Sequence, residues 1–141
     1  MILNRDLEDL RKIKGKQEGR FVLARDPKYN RIVLEQKLAD ILVSPEINSE
    51  RDNIKFLSSG INGIMARIAS KNKIAIGIDF NLLRKDNNLG QKLARIRQNI
   101  KLVRKARGNL AITGFRDIIG ARALLTCLGA SSEQARKAIS F

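Results

Sequence analysis

A chain of 141 residues with 28 Lys+Arg against 14 Asp+Glu carries a formal charge of +14, and 43% of it is hydrophobic. That length and apolar content suit one domain with a core of its own; no run approaches the ~20 apolar residues of a membrane-spanning helix, and an N-terminus alternating charge with leucine gives no secretory pattern. The lack of histidine excludes Ser-His-Asp and Cys-His catalysis and His-ligated zinc or non-haem iron, which leaves acid–base chemistry to carboxylates, lysine or Tyr29.

In chain order, residues 3–14 predict a short helix with Leu3, Leu7 and Leu10 on one side, ended by Gly15 and Gly19. Residues 20–24 (RFVLA) read as a strand. Pro27, after Asp26, suits the first turn of a helix carrying Ile32, Val33 and Leu38. Residues 40–44 form the next strand, and 45–53 a polar loop long enough to bind something. Over 54–70 we expect a short helical segment, a turn at Gly60, and a helix with Ile61, Ile64, Met65, Ile68 and Ala69 at helical spacing. Residues 74–80 give a third strand and 81–88 a second polar loop. The longest helix, 89–107, carries the stripe Leu89, Leu93, Ile96, Ile100 and Val103 and stops at Gly108-Asn109. Residues 110–113 are the fourth strand, and 118–128 and 132–139 two closing helices around Gly129. Cys127, in the run ALLTCLG, reads as a small buried hydrophobe; a lone cysteine forms no internal disulfide and suits a reducing cytoplasm.

Strand, helix and strand with no hairpin turn make a βαβ unit, so the strands run parallel. The near-continuous apolar runs Ile41-Leu42-Val43 and Ile74 to Ile78 fit strands buried on both faces. Repeated βα units build either an open sheet or part of a (β/α) barrel. We read no linker and no low-complexity segment, hence a single domain over 1–141.

An excess of cations repels itself unless a polyanion neutralises it; RNA, DNA or an anionic membrane surface would serve. Membrane binding calls for exposed bulky apolar residues on a basic amphipathic helix. Aromatic content is only 4% and the apolar stripes are committed to a core, so no membrane partner is expected. With no Trp and one Tyr, RNA recognition is expected through phosphates and shape rather than base stacking. Arg84, Lys85, Lys92, Arg95, Arg97, Lys101, Arg104, Lys105 and Arg107 lie on or beside the long helix, with Asp86 as the one acid among them. A merely solvated face would interleave Glu.

The residues expected to contact RNA are Arg95, Arg97, Lys101, Arg104 and Lys105, with Arg51 in the loop after the second strand, Lys71 at a helix end, and Arg122 near the start of the penultimate helix. Arg95 and Arg97 point different ways on a helix, leaving one for a protein partner. Arg11, Lys12, Lys14, Lys16 and Arg20 form a second cluster, which reads equally as an exposed helix end. At the C-terminal ends of the strands stand Asp26, Ser44 with Glu46, Asp79, and Thr113 with Asp117. Those carboxylates are of a type that can hold Mg²⁺, but Asp at strand ends suits helix caps and turns better, and capping is the preferred reading. Gly60-Ile61-Asn62-Gly63 lacks the Lys-Ser/Thr of a phosphate-binding loop.

Several segments together carry a resemblance. Asp40-Ile41-Leu42-Val43-Ser44-Pro45 is followed by Gly60-Ile61-Asn62, a helix with Ala66, and a strand ending near Gly77. Then come RIRQNI (95–100), LAIT (110–113), Arg122, Leu124, Leu128-Gly129, Gln134-Ala135 and Lys137-Ala138-Ile139-Ser140. Over roughly residues 20–140 the chain resembles the archaeal and eukaryotic ribonuclease P protein component 3 family. The resemblance implies a TIM-barrel-like, PHP-related fold, here partial or shortened, because the N-terminal βα units usual in relatives are missing. It implies a non-catalytic, cytoplasmic subunit of the endonuclease complex that removes the 5′ leader from precursor tRNA. The RNA would do the chemistry with its own Mg²⁺, and the protein would need no cofactor or metal. Implied partners are the ribonuclease P RNA, precursor tRNA through the complex, and a small α/β protein subunit. A homo- or hetero-oligomer would cover the strand edge that a partial barrel leaves open. The rival readings are a barrel-type phosphoesterase using Asp26, Glu46, Asp79 and Asp117, and a generic basic RNA-binding module.

Overall fold

Short, largely apolar runs in this chain become parallel strands, and each of the first five is followed by a helix that packs back onto the sheet. In a computed structural model, which describes residues 1–141, the elements run β1 (Ile2–Leu3), α1 (Leu7–Ile13), β2 (Phe21–Leu23), α2 (Pro27–Glu35), β3 (Ile41–Val43), α3 (Gly63–Lys71), β4 (Ala75–Asp79), α4 (Phe80–Arg84), α5 (Leu89–Lys105), β5 (Leu110–Thr113), α6 (Ile118–Cys127), α7 (Ser132–Arg136) and β6 (Ile139–Ser140). The six strands are all parallel and stand in sequence order. They curl into a TIM-barrel-like half-barrel. β1 pairs only with β2 and β6 only with β5, so the barrel stays open between them. No helix is long and apolar enough to cross a membrane.

Strand alternation sorts the side chains into two layers. Val22, Leu42, Ile76, Ile78, Leu110 and Ile112 join the helices in a core of 28 buried residues. On the concave face, Ile41, Val43, Ala75 and Ala111 are buried beneath Ile2, Phe21, Leu23 and Phe141. The rings of Phe21 and Phe141 meet there, centroids 5.1 Å apart. Gly77 makes this possible. A Cβ on it would lie 2.8 Å from Ile41 Cγ2 and 3.2 Å from Phe141 Cζ, closer than packed carbons tolerate.

Four elements differ from what the sequence predicts. Leu3 belongs to β1 rather than to the first helix, which starts at Leu7. Residues 54–60 form no helical turn; 44–62 is one irregular connection. Residues 80–84, read partly as loop, make α4, because the Asp79 carboxylate accepts the N–H of Asn81 at 2.8 Å and nucleates a turn. The last helix stops at Arg136, and Ile139–Ser140 joins the sheet as β6. Cys127 is exposed rather than buried.

Candidate nucleic-acid interface

The longest helix presents two chemically opposite faces. At about 100° per residue, Arg97, Lys101, Arg104 and Lys105 fall within roughly 100° of arc, whereas Arg95 lies about 160° from Arg97. All four of the first group are exposed. None takes part in any of the seven ion pairs of the structure. The result is a row of uncompensated cations on a rigid helix, which suits a run of phosphates.

Arg95, contrary to the expectation that it meets RNA, faces inward and is used up within the chain. Its side chain is 1% exposed. Nε donates to Asp52 Oδ1 at 3.1 Å, one terminal nitrogen donates to the carbonyls of Glu46 (3.0 Å) and Asn48 (3.3 Å), and the other to the carbonyl of Glu50 (2.7 Å). A guanidinium has five N–H donors in a fixed fork, and this one is consumed by the 44–62 connection. Gln91, Gln98 and Asn99 share that face of α5 and do the same. Gln91 Nε2 donates to Asp52 Oδ2 (3.0 Å), Gln98 Nε2 to the Leu57 carbonyl (3.2 Å) and Ser59 Oγ (3.0 Å), and Asn99 Nδ2 to the Ser59 carbonyl (2.9 Å). Burial pushes the Asp52 carboxyl up, but the N–H of Ser58 and the side chains of Arg95 and Gln91 outweigh it and hold it below the usual range. Lys92 also leaves the basic group, being buried and 3.8 Å from Asp86.

The remaining cations group by position. Arg104 and Arg107 line a cavity of about 510 Å³ with Ser131, Glu133, Gln134 and Lys137. Ser70, the residue before Lys71 at the end of α3, packs near Gly108 of that lining, its Cβ 3.7 Å from where a Cβ on Gly108 would sit. Lys105 shares a second hollow with Arg67, which the sequence reading missed. Arg67 lies on the exposed side of α3 one turn before Lys71, and that i, i+4 spacing was the signal that could have found it. Arg51 is exposed on the 44–62 connection, apart from the α5 row in sequence and element. Arg122 is half-buried on α6 and its Nε has no acceptor. In the N-terminal cluster, Arg20 pairs with Asp40 at 3.1 Å, and Arg11 and Lys14 bond to Gln36. Arg11 and Lys14 fasten the end of α1 to the end of α2, and Arg20 ties the approach to β2 to the approach to β3.

The strand-end carboxylates stand at helix starts or lie buried rather than gather in threes. Asp79 and Asp117 accept the first N–H groups of α4 and α6, and Asp26 occupies the N-cap position of α2. No three carboxylate or cysteine groups gather in a way that could hold a metal ion. Glu46 is 1% exposed and its Oε1 has no partner. Burial pushes its carboxyl up to about 7, and Asp79 adds to the rise against hydrogen bonds from its own N–H and Ser44 and the charge of Lys92. Ser44 adopts φ 53° at the end of β3, and its Oγ accepts the N–H of Asp79 at 3.1 Å. Gly60 closes the same connection. Its φ is +87°, and a Cβ there would fall 2.0 Å from the carbonyl oxygen of Pro45, so no other residue fits.

No family model matches the chain. Similar proteins exist among curated archaeal sequences. A ribonuclease P protein component 3 from Methanococcus maripaludis is 33% identical over 117 residues, 81% of this chain and 47% of that protein. The Methanococcus vannielii protein of the same name is 30% identical over 129 residues, 86% of this chain and 53% of its own length. The one from Methanocaldococcus jannaschii is 36% identical over 80 residues, 55% of this chain and 32% of its own. The chain therefore spans about half the length of the curated relatives it matches. A parallel half-barrel, a helix with one face of free cations, and this similarity across most of the chain agree: it belongs to the ribonuclease P protein component 3 family.

Proposed function

We propose that the chain serves as a protein subunit of ribonuclease P, the endonuclease that removes the 5′ leader from precursor tRNA. The RNA carries out the cleavage with its own Mg²⁺. The protein lowers the electrostatic cost of folding that RNA by lending cations to its phosphates. The observation that carries this reading is the row Arg97, Lys101, Arg104 and Lys105, exposed and without ion-pair partners on one arc of α5. Lys71 and Arg107 extend it at the C-terminal end of that helix. Four to six phosphate contacts of this kind would make binding fall steeply with salt, because each neutralised phosphate releases counterion.

A protein partner has a separate surface. Ile119 and Leu124 are exposed on α6, and the free Cys127 follows them on the same helix. Such a strip suits the small α/β subunit of the complex better than it suits RNA. Reconstitution tests the reading directly. Precursor tRNA cleavage is measured at low Mg²⁺ with the ribonuclease P RNA and its other proteins, with and without this chain. Cleavage should drop when the chain is omitted and recover with added Mg²⁺. Unchanged turnover without it would overturn the assignment.

A further inference from the structure

Of the five Phe and one Tyr in the chain, a single ring stands in water. Phe56 is 66% exposed, while Phe21, Tyr29, Phe80, Phe115 and Phe141 are buried or half-buried. A lone exposed apolar side chain is ordinary. This one is fixed in place. The Asn53 side-chain oxygen accepts the N–H groups of Lys55 and Phe56 at 2.9 and 2.8 Å, and the Asn53 N–H donates to the Phe56 carbonyl at 3.0 Å. Residues 53–56 are thus a closed turn. Immediately after it, Gln98 holds the Leu57 carbonyl and Asp52 holds the N–H of Ser58. The ring is displayed by a braced segment, so ordering it costs a ligand little.

Phe56 and Lys55 form one wall of a groove of about 360 Å³ between the connection, the start of α3 and α5. This groove runs into the hollow of about 310 Å³ that holds Arg67 and Lys105, since Gly63 and Leu102 line both. Both volumes lie in the range of roughly 300–1,000 Å³ typical of small-ligand sites. Lys55, Arg67 and Lys105 are in no ion pair, and Glu50 is the one carboxylate in the two linings. An aromatic face at one end of a groove and three free cations along it match a base with its flanking phosphates. A protein segment would need a larger apolar floor and acidic side chains of its own.

From this arrangement we infer that the groove holds one unstacked nucleotide of a single-stranded RNA segment, its base against Phe56 and its phosphates against Lys55, Arg67 and Lys105. The inference rests on the RNA-subunit reading above and sharpens it: a chain expected to read only phosphates and shape keeps one stacking position.

The test uses the full chain and a single-stranded RNA of about 12 nucleotides, alongside the same strand made abasic. Phe56→Ala should bind the intact strand roughly 10-fold more weakly, match the unaltered chain on the abasic strand, and keep the same Tm. Phe56→Trp, the sole indole in a chain with no Trp, should keep the affinity and lose fluorescence on binding the intact strand alone. Equal binding by Phe56→Ala, or quenching that ignores the bases, would falsify the stacking site. The subunit reading fails separately, by cleavage indifferent to the whole chain, so the two failures are told apart.

Discussion

Arg95 and Arg97 are two residues apart on one helix and have unrelated work. Arg95 is walled in and spends its donors on three carbonyls and a carboxylate of the 44–62 connection. Arg97 stands in solvent with no partner in the chain. The same side chain therefore acts as an internal fastener on one arc of α5 and as a free cation on the other. Residue type does not separate these roles; angular position on the helix and the supply of acceptors do. The buried arc holds the shape of the connection that carries Arg51, Lys55 and Phe56, while the exposed arc keeps its cations free for a polyanion.

This contrast can be broken most directly at Arg95. Arg95→Ala leaves Asp52 and three carbonyls without their donor, and breaking a buried charge pair typically costs about 3–5 kcal/mol. Urea denaturation should show that loss, and Arg95→Lys should recover little of it because an ammonium cannot reproduce the fork. A full-stability Arg95→Ala variant would erase the distinction between the arcs.

Next in size is a pH effect at Glu46, buried near the start of the same connection. Its folded pKa is raised to about 7 from the ordinary 4.5. The stabilising protonation is fully present below about 4.5 and is lost as pH rises through about 7, a change of up to about 3 kcal/mol. Stability measured between pH 5 and 8 should decline, and Glu46→Gln should flatten the curve and raise Tm at pH 8.

Asp52→Asn is a smaller perturbation. It keeps one acceptor for Ser58 and Gln91 but removes the charge opposite Arg95, for an expected loss of about 1–2 kcal/mol in the same denaturation assay. On the exposed arc the stability effect should nearly vanish. Arg97→Ala, Lys101→Ala, Arg104→Ala and Lys105→Ala should each stay within about 0.5 kcal/mol. Combined, they should reduce the slope of log affinity against log salt for RNA by roughly 3. A steep slope that survives all four changes would move the RNA interface elsewhere.

Much of the fold was legible because parallel strands buried on both sides need unbroken apolar runs, and β2 to β5 have them. β1 and β6 are two residues each, too short for periodicity to register, and their place is set by pairing with neighbours. Ile54, Phe56 and Leu57 look like the start of an apolar helix face, yet Asn53 turns the chain instead. The cationic row of α5 could be read from spacing and the scarcity of acids. The reassignment of Arg95 could not, because its acceptors lie 43 to 49 positions earlier in the chain and become neighbours only after the half-barrel forms. Phe56 was hidden for a similar reason: composition counts aromatic rings but does not say which one remains outside the core.

The gap between β1 and β6 has a practical consequence. Each rim offers backbone donors and acceptors that another molecule's strand could borrow, and in dilute buffer mutual repulsion of +14 particles keeps copies from trying. Brine strong enough to strip nucleic acid during purification shortens the Debye length to about 3 Å at 1 M and silences that repulsion. Clean protein should therefore begin to clump in the high-salt fractions that strip nucleic acid, and disperse again on desalting as the repulsion returns.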